Sequence, residues 1–185
     1  MIDTSTNRQA KKWTRSQLLA RFTWDMLGQP IFRITPRQLW VARRVLLRVF
    51  GASVHNRVHI YPTVKVVIPW HLLIGEEAAI GDHAILYALG EISIGARATV
   101  SQRAHICAGS HDHNHPAMPL LKTPISIEEE AWVCADAFVG PGVTIGKRAV
   151  VGARSVVMKS VVAETVVAGN PASKISERAL ENHER

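Results

Sequence analysis

From Ile127 onward every sixth residue is aliphatic. Val133, Val139, Ile145, Val151 and Val157 follow in one phase, and glycine comes directly after three of them, at Gly140, Gly146 and Gly152. The same beat runs upstream through Ile74, Ile80 and Leu86 and, after a two-residue slip around Leu89-Gly90, through Ile94, Val100 and Ile106. A period of six fits neither an amphipathic helix, with its period of about 3.6, nor a half-buried strand, with its period of about 2. It requires a unit that turns a corner once per repeat. The pattern therefore predicts an all-β solenoid of short strands, with one inward aliphatic per hexapeptide and three hexapeptides per triangular rung. The glycines read as its corners, and the period leaves the hand of the coil open.

Two stretches fall outside the beat. Ahead of it, Trp13, Leu18, Leu19, Phe22, Met26 and Leu27 predict one amphipathic helix, and Leu39, Ala42, Val45, Leu46, Val49 and Phe50 a second. Thr35 is placed to be the N-cap of the second helix, Pro36 its first residue and Gly51 its C-cap. Between Ile106 and Ile127 the phase is lost and a loop leaves the coil. The resulting division is a basic helical cap over residues 1–53, a β-helix over 54–170 with an insert at 109–124, and a tail or short helix over 171–185.

Length and composition narrow the class. A chain of 185 residues suits one domain with enough core to fold without staples. Cys107 and Cys134, the only cysteines, each follow an inward aliphatic and read as packed thiols. No apolar run approaches the roughly 20 residues of a membrane span, and Met1 to Lys12 is polar with no apolar core behind it, so a cytoplasmic protein is expected. The net charge of +7 is uneven: residues 1–50 carry +8 and the rest −1. The helices therefore read either as a terminal cap on the solenoid or as a basic, aromatic-bearing surface for an anionic membrane or lipid-linked acceptor at the inner membrane face. Nucleic acid is not expected, because no recognised module accompanies the charge.

The insert concentrates the ionisable chemistry, with His111, His113 and His115 inside five residues. Insertions on solenoids commonly carry function. Three readings stay open on residue chemistry. Histidine suits proton transfer near neutrality, alternate histidines in an extended segment could face one metal, and a polar loop needs no role at all. Glu128, Glu129 and Glu130 read as a solvated corner.

The paired hexapeptide blocks, Ser110-His111-Asp112, Trp132, Pro141-Gly142-Val143-Thr144-Ile145-Gly146, Gly152-Ala153-Arg154-Ser155 and Gly169-Asn170-Pro171 resemble the hexapeptide-repeat acetyltransferases. Phe50-Gly51-Ala52, Tyr61-Pro62-Thr63-Val64, Pro69-Trp70 and Tyr87 to Ile92 make the chain similar to the colanic-acid-type exopolysaccharide O-acetyltransferases within them. The resemblance implies a left-handed parallel β-helix with a short C-terminal helix, a homotrimer, and active sites between neighbouring subunits. It implies acetyl-CoA as acyl donor, a sugar or glycan acceptor, and no metal. His111 takes the place of the general base. Trp132, backbone groups of Ala135 and Ala153, and Lys159 take cofactor positions, while Ala88 and His113 fall on the acceptor side. Ala88 stands where related enzymes usually have asparagine. The alternatives are a zinc hydratase like the γ-class carbonic anhydrases, with His105, His111 and His115 as ligands, and a scaffold that kept the solenoid without the chemistry.

Overall fold

The structure, a computed structural model, describes residues 4–179. Its body is a parallel β-solenoid with three faces. The first face stacks Ser53–Val54, Leu72–Ile74, Ile92–Ile94, Ile125–Ile127 and Thr144–Ile145. The second stacks His59–Ile60, Ala79–Ile80, Thr99–Val100, Trp132–Val133, Val150–Val151 and Thr165–Gly169, and the third Lys65–Val66, Ile85–Tyr87, His105–Cys107, Phe138–Val139 and Val156–Val157. Registers are aligned from coil to coil, as in Ile74↔Ile94, Ile94↔Ile127 and Ile127↔Ile145. The chain thus makes five full coils and begins a sixth.

Every aliphatic of the six-residue beat points inward, and all of them, Ile74 to Val157, are at most 4% exposed. A second inward position lies four residues later, filled by Ala78, Ala84, Ala98, Ala104, Ala131, Ala137 and Ala149. A large side chain on the strand and a small one at the corner fill a narrow triangular interior to solid density.

The corners correct one expectation. The glycines after the inward aliphatics have ordinary backbone angles; positive φ falls two residues later, at Glu77, His83, Arg97, Arg103, Glu130, Asp136, Arg148 and Arg154, all between 56° and 60°. Only one member of this series, Gly142 with φ 78°, is a glycine. The glycines at 75, 81, 95 and 146 answer to close approach instead. A Cβ on Gly95 would lie 2.6 Å from the Glu129 nitrogen, and one on Gly146 would lie 2.5 Å from that of Ala163. The next coil passes where a side chain would be.

The edges also carry charge in register. Between the first and second faces, Arg57 pairs with Glu76 and Glu77, Arg97 with Glu129 and Glu130, Lys147 with Glu129, and Arg148 with Glu164. Glu129 and Glu130 are therefore rungs of an ion-pair ladder, not merely solvated. Between the second and third faces, Arg103 grips Asp136 through two bonds of 2.6 and 2.9 Å.

The helical region is α1 (Thr4–Gln9), α2 (Arg15–Thr23), a π-helical turn (Trp24–Gly28), α3 (Gln29–Ile34) and α4 (Trp40–Val49). It closes the open end of the first coil in a specific way. The carbonyls of Val54, Val58, Ile60, Val64 and Val66 have no earlier coil to pair with. They accept bonds from Arg48, Arg44, Arg43, Gln29 and Trp24, at 2.7, 2.8, 2.7, 3.2 and 2.7 Å. The apolar faces read from the sequence are the buried ones only in part: Leu46 and Phe50 pack against the core. Trp24, Phe32 and Leu47 pack on the coil, whereas Leu18, Leu19, Phe22, Met26, Leu27, Leu39, Val45 and Val49 are exposed. The capping of α4 differs too. Thr35 ends α3, donating its hydroxyl to the Phe32 carbonyl, and α4 starts after Leu39. The intervening bend lets the Arg43 guanidinium collect the Pro36 and Arg37 carbonyls and the Thr35 hydroxyl. Gly51, with φ 87°, does follow the end of α4 as expected.

At the other end, Ala172–Glu177 is a strand antiparallel to Thr165–Gly169, so the short C-terminal helix is replaced by a hairpin across Asn170-Pro171 over these residues. Its edge covers the last stretch of the second face, which a helix could not pair with. The remainder of the expected tail, 180–185, lies outside the described residues.

Candidate active site

The chain leaves the third face after Cys107 through Ala108-Gly109, with Gly109 pressed on Leu89; a Cβ there would come within 2.7 Å of the Leu89 side chain. It then forms a two-stranded hairpin, Ser110–His111 against Leu120–Leu121. The tip is tied by Asp112, whose backbone N–H donates to Pro119 at 3.0 Å, and by Met118, whose N–H donates to His115 at 2.8 Å. Met118 itself has φ 41°, a backbone region costly for a residue with a side chain.

That turn aims the Met118 carbonyl at His111, whose Nδ1 lies 2.7 Å away. A carbonyl can only accept, so Nδ1 carries the proton and Nε2 is left with its lone pair. The second partner of the carbonyl comes from the far end of the chain. Asn7 in α1 donates its amide to Met118 at 2.8 Å, and that amide is also 3.4 Å from His111 Nδ1. With Nδ1 protonated by its shorter contact, the amide belongs to the carbonyl. The Oδ1 of Asn7 is buried without a partner. The arm is fastened further along, where Lys122 donates to the Lys12 carbonyl at 2.9 Å and lies 3.5 Å over the Trp13 ring. Neither Asn7 nor Met118 was signalled by the sequence: one is 104 residues from the histidine, and the other acts through its backbone.

The other sequence-derived site residues occupy separate parts of the prism. Trp132 is 44% exposed on the second face, and its indole N–H donates to Ser101 at 2.8 Å. Ala135 and Ala153 stack on the edge between the second and third faces, where the Arg154 N–H donates to the Ala135 carbonyl at 2.9 Å. Lys159 stands exposed at the edge between the third and first faces, the edge from which the His111 hairpin springs, two coils away. Trp132 and the two alanines therefore do not meet His111 within one chain. His113 is exposed on the hairpin tip. Ala88 is fully buried and offers its carbonyl to His71 at 2.9 Å, which leaves no side chain for an acceptor to touch.

His105 is not near a ligand set either. It lies on the third face in edge contact with Tyr87 and Phe138, and burial, helped by Lys65, pushes its pKa down. Among the described residues no three His, Cys, Asp or Glu side chains gather as metal ligands. Cys107 and Cys134 are free and half-buried, and burial raises both thiol pKa values.

No protein-family model matches the chain. It is 48% identical over 155 residues to the putative colanic acid biosynthesis acetyltransferase WcaF of Escherichia coli, a match covering 84% of this chain and 85% of that protein. Among solved structures it is similar to a maltose O-acetyltransferase from Clostridium difficile 630, with a TM-score of 0.81 at 21% identity over 97% of this chain and 99% of that one. It is likewise similar to a hexapeptide-repeat acetyltransferase from Vibrio cholerae complexed with acetyl coenzyme A, with a TM-score of 0.81 at 22% identity over 94% and 95% of the two chains. At those identities the structural likeness speaks for the fold.

Proposed function

Because this chain belongs to the colanic-acid-type hexapeptide-repeat acetyltransferases, we propose that it moves an acetyl group from acetyl-CoA to a hydroxyl of a sugar or exopolysaccharide intermediate, with His111 as general base. The observation that carries the reading is the bond from His111 Nδ1 to the Met118 carbonyl, which leaves Nε2 free to accept a proton. Acetyl-CoA supplies a thioester carbonyl. Nε2 takes the acceptor's hydroxyl proton as the oxygen forms its bond to that carbon, and returns the proton to the sulfur as the C–S bond breaks. No covalent link to the protein is needed. In this reading His113 lies on the acceptor side of the base, and Asn7 holds the Met118 carbonyl beside it.

The donor's place is the edge marked by Trp132, Ala135 and Ala153. The small side chains there leave room for an extended pantetheine arm, and the indole face of Trp132 stays open while its N–H is engaged by Ser101. Lys159 suits phosphates as a compact cation. The separation of Trp132, Ala135 and Ala153 from His111 in one chain supports a homotrimer in which the donor edge of one copy faces the His111 hairpin of the next. The reading places the protein in the cytoplasm, within reach of the inner membrane face.

The test is thiol release from acetyl-CoA in the presence of a panel of hexoses and exopolysaccharide fragments, run on the wild type and on His111→Ala. Acceptor-dependent release that disappears in the folded variant supports the reading. Release that survives the substitution contradicts it.

A further inference from the structure

The helical cap has two faces, and closing the first coil uses only one. Trp24, Phe32, Arg43 and Leu47 are turned to the coil and fully buried. The opposite face points away from the solenoid. Of the seventeen exposed large apolar side chains among the described residues, eleven fall between Leu18 and Val49. On α2 and the turn after it, Leu18, Leu19, Phe22 and Met26 lie within one helical sector, and on α4 Val41, Val45 and Val49 repeat at every fourth position. Between the two helices is an apolar cleft of about 510 Å³, lined by Leu19, Val49, Phe50 and Trp70 among others. Phe22 is 64% and Val49 75% exposed, and a contiguous apolar patch of this kind marks a contact surface.

Charge identifies the contact. Among the described residues up to Phe50 the only carboxylate is Asp25. Arg8, Lys11, Arg15 and Arg33 are exposed and have no ion-pair partner among the described residues. A second copy seated face to face would bring like charge against like charge. An anionic bilayer accepts both properties at once: apolar side chains enter the headgroup boundary, and basic ones meet lipid phosphates. No helix among the described residues is long and apolar enough to cross a membrane, so the contact is one of lying on the surface.

We propose that the outward face of the helical cap docks the protein on an anionic lipid surface, with Leu19, Phe22, Met26, Val45 and Val49 entering the interface and Arg15 and Arg33 binding headgroups. None of these side chains is bonded to the His111 hairpin, so failure of the docking would leave the acetyltransferase reading untouched, and the reverse holds too.

The test is co-sedimentation of the full chain with vesicles of phosphatidylcholine alone and of phosphatidylcholine mixed with phosphatidylglycerol. Binding to the anionic vesicles should exceed binding to the neutral ones by about tenfold or more and fall as salt is raised. Phe22→Glu combined with Val45→Glu should reduce it by about tenfold or more, with the circular dichroism spectrum and the sedimentation coefficient unchanged. Absent binding, binding indifferent to lipid charge, or a smaller oligomer in the glutamate variant would overturn the proposal, the last by showing that another copy covers the face.

Discussion

His111 and Met118 are joined by a 2.7 Å contact in which the ring nitrogen donates and the main-chain carbonyl accepts. The geometry depends on Met118 standing at positive φ and on Asn7 donating to the same carbonyl. With His111 as the proposed base, its loss should cost about two to four powers of ten in turnover, the range for a general base. His111→Ala should therefore be almost inactive while keeping the wild-type oligomer and melting temperature. Steady-state kinetics beside a thermal melt checks both.

Asn7→Ala removes one of two donors on the Met118 carbonyl and loosens α1, without touching the base. A fall in kcat of roughly fivefold with an unchanged KM for acetyl-CoA is expected, since one neutral hydrogen bond is worth about 1 kcal/mol. A larger KM for acetyl-CoA with normal kcat would place Asn7 on the donor side instead.

The unequal roles of corner residues give a stability test. Gly95→Ala drives a Cβ into the backbone of the coil above and should destabilise by about 1–3 kcal/mol. His83→Gly, at φ 60°, relieves a left-handed residue and should be neutral or stabilising by up to about 1 kcal/mol. Urea unfolding of the two variants would separate them; similar losses in both would refute the assignment of turn and contact positions.

His105 links stability to pH. Its folded-state pKa is depressed below the usual 6.5 by burial and Lys65, so the neutral ring favours the fold. That contribution is full above about 6.5 and is lost as the pH falls below it, because the unfolded chain binds the proton first. His105→Phe, between Tyr87 and Phe138, should flatten the loss of melting temperature between neutral pH and mildly acidic pH. An unchanged acid slope would assign the effect to other groups.

The solenoid was legible because its inward positions recur without exception, and the departure at 107–124 was legible because the phase breaks there. The cap was legible as helices but not in orientation. Most of its large apolar residues face outward, and the side chains that close the first coil include three arginines, Arg43, Arg44 and Arg48, whose guanidinium groups reach backbone carbonyls. A hydropathy pattern does not register a bond from a charged side chain to a main-chain oxygen. The corners were legible but the reason for their glycines was not: glycine signals permissive φ and absent Cβ alike, and here the second applies at Gly95 and Gly146. At the site, His111 was visible through its loop, whereas its partners were set by chain crossing over more than a hundred residues.

The proposed function has acetyl-CoA bound at an edge completed by a neighbouring copy. Its most direct test is a calorimetric titration of acetyl-CoA into the wild type and Trp132→Ala, with the oligomer measured in the same buffer. Saturable binding near one site per chain in a trimer, weakened by about tenfold or more in Trp132→Ala, is the result expected. No binding at millimolar ligand, or undiminished binding in Trp132→Ala, would contradict it.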